Sequence, residues 1–114
     1  MSDCLFCNIV DGKIPAEIVY ENKQVVAFRD LNPQAPLHVL LIPKKHIATL
    51  NDLESEDSAV MGALILAAKK VAEAEGVAES GYRTVINCGE QGGQSVYHIH
   101  LHLLAGRQMQ WPPG

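Results

Sequence analysis

The segment His98-Ile99-His100-Leu101-His102 places three imidazoles at alternate positions. If the segment is extended, all three project from one side while Ile99, Leu101 and Leu103 turn to the other, because successive strand side chains point to opposite faces. A solvated strand that happens to use histidine is the bland reading. The whole chain has only five histidines, and titratable groups seldom gather where there is no function. Such a row can bind a metal, since neutral imidazole is a common zinc ligand. It can also supply a nucleophile, an orienting partner and a proton donor for transfer chemistry near neutral pH. The loop just before it bears on the choice. Gly92-Gly93-Gln94-Ser95 offers backbone N–H groups unobstructed by side chains, together with a hydroxyl. Such nests hold phosphate oxygens. Phosphate beside a nucleophilic imidazole points to attack at phosphorus through a phosphoryl-histidine intermediate. His98, His100, His102 and Ser95 are therefore the first candidates for catalysis, with Gly93 and Gln94 as contacts to the ligand.

A second constellation is Cys4-Leu5-Phe6-Cys7, whose spacing is that of half a zinc site. Reduced, partly buried thiols are the competing reading. With three cysteines, an odd number, the chain has no disulfide framework, and Cys88 reads as a buried small residue without a partner.

The elements that must position these groups can be read from pattern. Cys4 to Val10 is a short apolar helix stopped by Asp11-Gly12. Ile18 to Tyr20 and Val25 to Phe28 are strands of a hairpin, separated by polar Glu21-Asn22-Lys23. Asp30 to Pro36 is a loop broken by two prolines, and His38 to Ile42 is a continuous apolar strand ended by Pro43. A long helix follows, capped by Ser55, with Glu56 and Asp57 at its positive end and Gly76 as terminator. Met61, Leu64, Ile65, Ala68 and Ala72 make its apolar face. Tyr82 to Cys88 and Val96 to Ala105 are the last two strands. Neighbouring strands with short connections give an antiparallel sheet of about five strands with the long helix on one face. The class is α+β.

The chain's 114 residues suit one domain, spanning 1–114, without repeats or linker. A net charge of −4 argues against broad attraction to nucleic acid. No apolar run approaches the roughly 20 residues of a membrane span, and no secretory signal opens the chain, so a cytoplasmic location is expected.

The run Gly92-Gly93-Gln94-Ser95-Val96-Tyr97-His98-Ile99-His100-Leu101-His102-Leu103-Leu104 resembles the motif of the histidine triad (HIT) superfamily. Ile14-Pro15-Ala16, Ala27-Phe28-Arg29-Asp30, Pro33-Gln34-Ala35-Pro36, the stretch from His38 to His46, and the tail Gly106-Arg107-Gln108-Met109 with Trp111-Pro112-Pro113-Gly114 extend the likeness to the Hint branch, the purine nucleoside phosphoramidases. The resemblance implies a hydrolase that cuts the P–N bond of an AMP-amine through a nucleotidyl-histidine, with His100 as nucleophile. His102 and His38 would flank the phosphate, Ser95 and Asn87 would contact phosphate and departing group, and Asp30 would hold the ribose hydroxyls. Phe6, Ile9, Phe28 and Leu31 would line a purine slot, or be simply core. The resemblance also implies a homodimer with one continuous sheet, Trp111 lying near the partner's site, and no metal in catalysis. In some similar proteins the cysteine pair is completed by two histidines, which implies here a structural zinc on Cys4, Cys7, His46 and His98. A diadenosine polyphosphate hydrolase of the Fhit branch and a nucleotide-binding adaptor stay open as alternatives.

Overall fold

The computed structural model describes residues 2–114. The chain forms a short helix α1 (Leu5–Val10), strands β1 (Ile18–Glu21), β2 (Val25–Arg29) and β3 (Leu37–Pro43), a long helix α2 (Ser58–Ala74), and strands β4 (Tyr82–Ile86) and β5 (Leu101–Ala105). The five strands make one antiparallel sheet in the order β1-β2-β3-β5-β4. The α+β expectation holds.

Alternation along the central strands divides their side chains between two apolar layers. Val25 and Ala27 of β2, Val39 and Leu41 of β3, and Leu101 and Leu103 of β5 meet Leu64, Ala67, Ala68, Val71 and Ala72 of α2. Val26, Phe28, Leu40 and Ile42 face the other way and pack with Phe6 and Ile9 of α1. Because both faces are covered, β2 and β3 read as unbroken apolar runs. His38 and His102, even-numbered on β3 and β5, fall on the α1 side.

Four local expectations are corrected. Ser55 does not cap the long helix. A 3-10 turn occupies Ser55–Asp57, and the Asp57 carboxylate accepts from the Glu54 N–H at 2.9 Å and from Lys45 at 2.6 Å. The apolar face of α2 is also rotated. Ile65 is 52% exposed and Leu66 60%, whereas Val60, Ala67 and Val71 are buried. The sequence is apolar almost all round this helix, so periodicity underdetermined the buried side, and small Ala67, Ala68 and Ala72 let the backbone approach the sheet. Gly76, with φ of 77°, does terminate the helix, and Val77 N–H bonds the Ala72 carbonyl at 3.0 Å. Cys88 is half-buried rather than buried.

The fourth correction bears on chemistry. The last strand begins at Leu101, not Val96. Leu41 pairs with Leu101, and the ladder then reaches Pro43, which has no N–H to give. The Ile99 N–H goes instead to the Ile47 carbonyl at 2.7 Å. His98 and His100 therefore lie on irregular backbone, and only His102 is on a strand.

Candidate active site and metal cluster

The three triad imidazoles are each held by a main-chain or neighbouring ring atom, and those bonds fix where the protons sit. His100, buried, donates Nδ1–H to the carbonyl of His98 at 2.8 Å. Its Nε2 is then the nitrogen with the lone pair. His38 Nδ1 accepts from the Gln34 N–H at 3.0 Å, so its Nε2 carries the proton. That proton is directed at His102 Nδ1, 2.9 Å away, with the Asp30 carboxylate at 3.4 Å. His102 is left with its proton on Nε2. Burial, with His100 and His38 adding repulsion, pushes His102 down to about 4. Burial also lowers His38, against the attraction of Asp30. The pair is accordingly neutral at pH 7, a donor–acceptor chain rather than a store of mobile protons.

His100 and His102 open onto a cavity of about 280 Å³. Its walls include Phe6, Ile9, Phe28 and Leu31, with Asp30 and Ser95 as polar points. Phe6 stands edge-on to His100, ring centroids 5.1 Å apart. Phe6, Ile9 and Phe28 are thus both core and wall, whereas Leu31 is wholly exposed at the rim. His38 does not line the cavity but supports His102 from behind. Asn87 does not line it either. It is half-buried one residue past the Ile86–Leu101 pair, level with His100 in the register. Trp111 is 81% exposed and stands apart.

The glycine loop is arranged differently from its sequence reading. The N–H groups of Gly93 and Gln94 bond the carbonyls of Glu90 and Gly89, both at 3.0 Å. The buried Gln94 side chain accepts from Gly89 N–H and donates to the Ala48 and Val96 carbonyls. Both residues brace the loop. Ser95 and Val96 are the residues of this loop that reach the cavity.

The second constellation assembles in full. Cys4, Cys7, His46 and His98 place one ligand atom each within 4.8 Å of the others. His98, completely buried, donates Nε2–H to the Pro43 carbonyl at 2.8 Å, which turns the lone pair of Nδ1 toward the cluster. That nitrogen lies 3.4 Å from Cys4 Sγ, 3.6 Å from Cys7 Sγ and 3.2 Å from His46 Nδ1; Cys7 Sγ lies 3.3 Å from His46 Nδ1. Edges of a tetrahedron with ordinary zinc bonds are about 3.3 Å between nitrogens and about 3.5 Å between nitrogen and sulfur. The four residues fit a closed zinc site. Burial and the adjoining Cys4 thiol push the Cys7 thiol up to about 11, so only a cation would hold it ionised at neutral pH.

Sequence reasoning named most of these side chains. It missed the Pro43 and His98 carbonyls and the Gln34 N–H, which set the imidazole protons and leave no trace in residue type. It also passed over Ile14, Pro15 and Ala16 as cavity wall, although these three stood out in the motif comparison.

Fold and site together define an α+β protein of the histidine-triad kind. The chain belongs to the HIT domain family, which it matches over residues 11–109. It is 54% identical over 112 residues to an uncharacterized HIT-like protein of Synechococcus elongatus, covering 98% of this chain and 97% of that one. A 14 kDa zinc-binding protein of Zea mays is 52% identical over 115 residues, covering 99% and 89%. The crystal structure of a HIT family hydrolase from Legionella pneumophila matches with a TM-score of 0.96 at 60% identity, covering 98% of this chain and all of that one. Among the described residues no helix is long and apolar enough to cross a membrane.

Proposed function

We propose that the chain hydrolyses purine nucleoside 5′-phosphoramidates of the AMP-amine type through a nucleotide carried on His100. The observation that supports this most is the proton placement at His100: Nδ1–H is bound to the His98 carbonyl, and the free lone pair of Nε2 belongs to a ring that lines the cavity. A flat purine suits the slot of Phe6, Ile9, Phe28 and Leu31, and Asp30 in the same cavity suits the ribose hydroxyls.

In the first step Nε2 attacks phosphorus and the P–N bond breaks. The departing nitrogen takes the bond pair and a proton from water. Positive charge arising on His100 is stabilised by its Nδ1–H bond to the His98 carbonyl. His102, held neutral, gives a hydrogen bond to the phosphate from Nε2–H, and Ser95 adds a hydroxyl. In the second step water attacks phosphorus, the P–Nε2 pair returns to His100, and the water's proton passes to solvent. His38 and Asp30 keep His102 in the required tautomer. A zinc ion on Cys4, Cys7, His46 and His98 would be structural, with no position open for water; the zinc-binding relative supports this. The uncovered edge strand β4 and exposed Ile65 and Leu66 support a homodimer.

The test is turnover of a fluorogenic adenosine phosphoramidate by the wild type and by His100→Ala. A loss of about 1,000-fold or more is expected, together with an AMP adduct on acid-quenched wild type. Faster cleavage of diadenosine triphosphate than of the phosphoramidate would replace this substrate with a dinucleotide. No turnover of either would remove the hydrolase reading.

A further inference from the structure

We propose that the Cys4–Cys7–His46–His98 cluster, when it holds zinc, shapes the neighbouring cavity, so that zinc and nucleotide bind this chain with positive coupling. The reading above supplies only the identity of the second ligand.

The two sites share His98 and α1. The ring of His98 faces the cluster through Nδ1, while its main-chain oxygen accepts Nδ1–H of His100, two residues on in sequence. A metal bond that fixes the His98 ring therefore also fixes the acceptor that sets the His100 tautomer. Helix α1 carries the second link. Cys4 caps it and Cys7 lies in its first turn, while Phe6 between them stands edge-on to both His98 and His100. Leu5, Phe6 and Ile9 of the same helix form cavity wall. A six-residue helix has little stability of its own. It is seated by the apolar contacts of Phe6 and Ile9, and metal bonds at Cys4 and Cys7 would fasten its first turn to the loop that carries His98. Finally, the groove bordering the cluster and the cavity have Leu5, Ser95 and Val96 in common. Losing the metal therefore loosens one wall and the His100 acceptor together.

Coupling is reciprocal: whatever factor zinc adds to nucleotide affinity, nucleotide adds to zinc affinity. We expect about tenfold. Calorimetry with AMP would compare zinc-loaded protein with protein stripped by a chelator. Zinc affinity would be measured against a chromophoric chelator with and without saturating AMP. Should stripping unfold the chain, His46→Ala serves instead, because it removes the exposed ligand and leaves α1 and His98 intact. A second readout needs no nucleotide: amide exchange over α1 and exchange of the His100 Nδ1 proton by NMR, both expected to quicken without zinc. Weaker AMP binding, tighter zinc with AMP and faster exchange support the coupling. Equal AMP affinity and unchanged exchange overturn it. If AMP binds neither form, the nucleotide reading fails, and the exchange data alone decide whether the cluster controls α1 and His100.

Discussion

Acidification should destabilise this fold in a way traceable to His102. Burial holds this imidazole at about 4, against an ordinary value of 6.5. The unfolded chain therefore binds the proton more readily than the folded one. The contribution to stability is complete above the unfolded value, falls as pH drops through about 6.5, and levels off below the folded value near 4. For one such group the loss between about pH 7.5 and about pH 5 amounts to about 2 kcal/mol. His102→Gln removes the titration while keeping an acceptor, the amide oxygen, for the His38 Nε2–H. Urea unfolding of both proteins across this range, with zinc held constant, isolates the effect because contributions of the remaining groups cancel in the difference. The wild type should lose about 2 kcal/mol more than the variant. Parallel stability curves would refute the reasoning, since they would mean that His102 carries no buried neutral ring to be charged.

Two glycines should respond oppositely to alanine. At Gly92 a Cβ would collide with the Cys88 main-chain oxygen, so Gly92→Ala should cost about 2 kcal/mol in a thermal melt. At exposed Gly62 on α2 nothing lies within 4 Å, and Gly62→Ala should add about 0.5–1 kcal/mol through helix propensity. Gln94→Ala strands the Gly89 N–H and the Ala48 and Val96 carbonyls. Denaturant unfolding should register a loss of about 3 kcal/mol, and a loss below about 0.5 kcal/mol would mean that the Gln94 bonds do not brace the loop.

The sheet, both helices and the Cys/His inventory were legible because each rests on a strong local signal: apolar runs, Gly76 after the helix, paired residues at fixed spacing. The triad was legible for a partly different reason than its alternation suggests. Period-two logic places His102 correctly on the face opposite Leu101 and Leu103, but it treats His98 and His100 as strand residues. Their backbone leaves the ladder because Pro43 cannot donate and Ile47 captures Ile99. The glycine loop misled in a related way. Residue type shows which N–H groups are sterically accessible, not which are already bonded, and Gly93 and Gln94 are bonded within the loop. The rotation of α2 was hidden for lack of contrast, because a helix apolar on most sides carries no record of which side is buried.

The atoms that assign protons to His38, His98 and His100 are the Gln34 amide, the Pro43 carbonyl and the His98 carbonyl. Every one of them belongs to the peptide chain itself. Exchanging the side chain of Gln34 leaves its N–H in place, so an alanine substitution there would have little to report. The side chain at Gln34 can change while the protonation pattern is kept by the backbone trace, whereas Pro43 contributes both its carbonyl and its missing N–H.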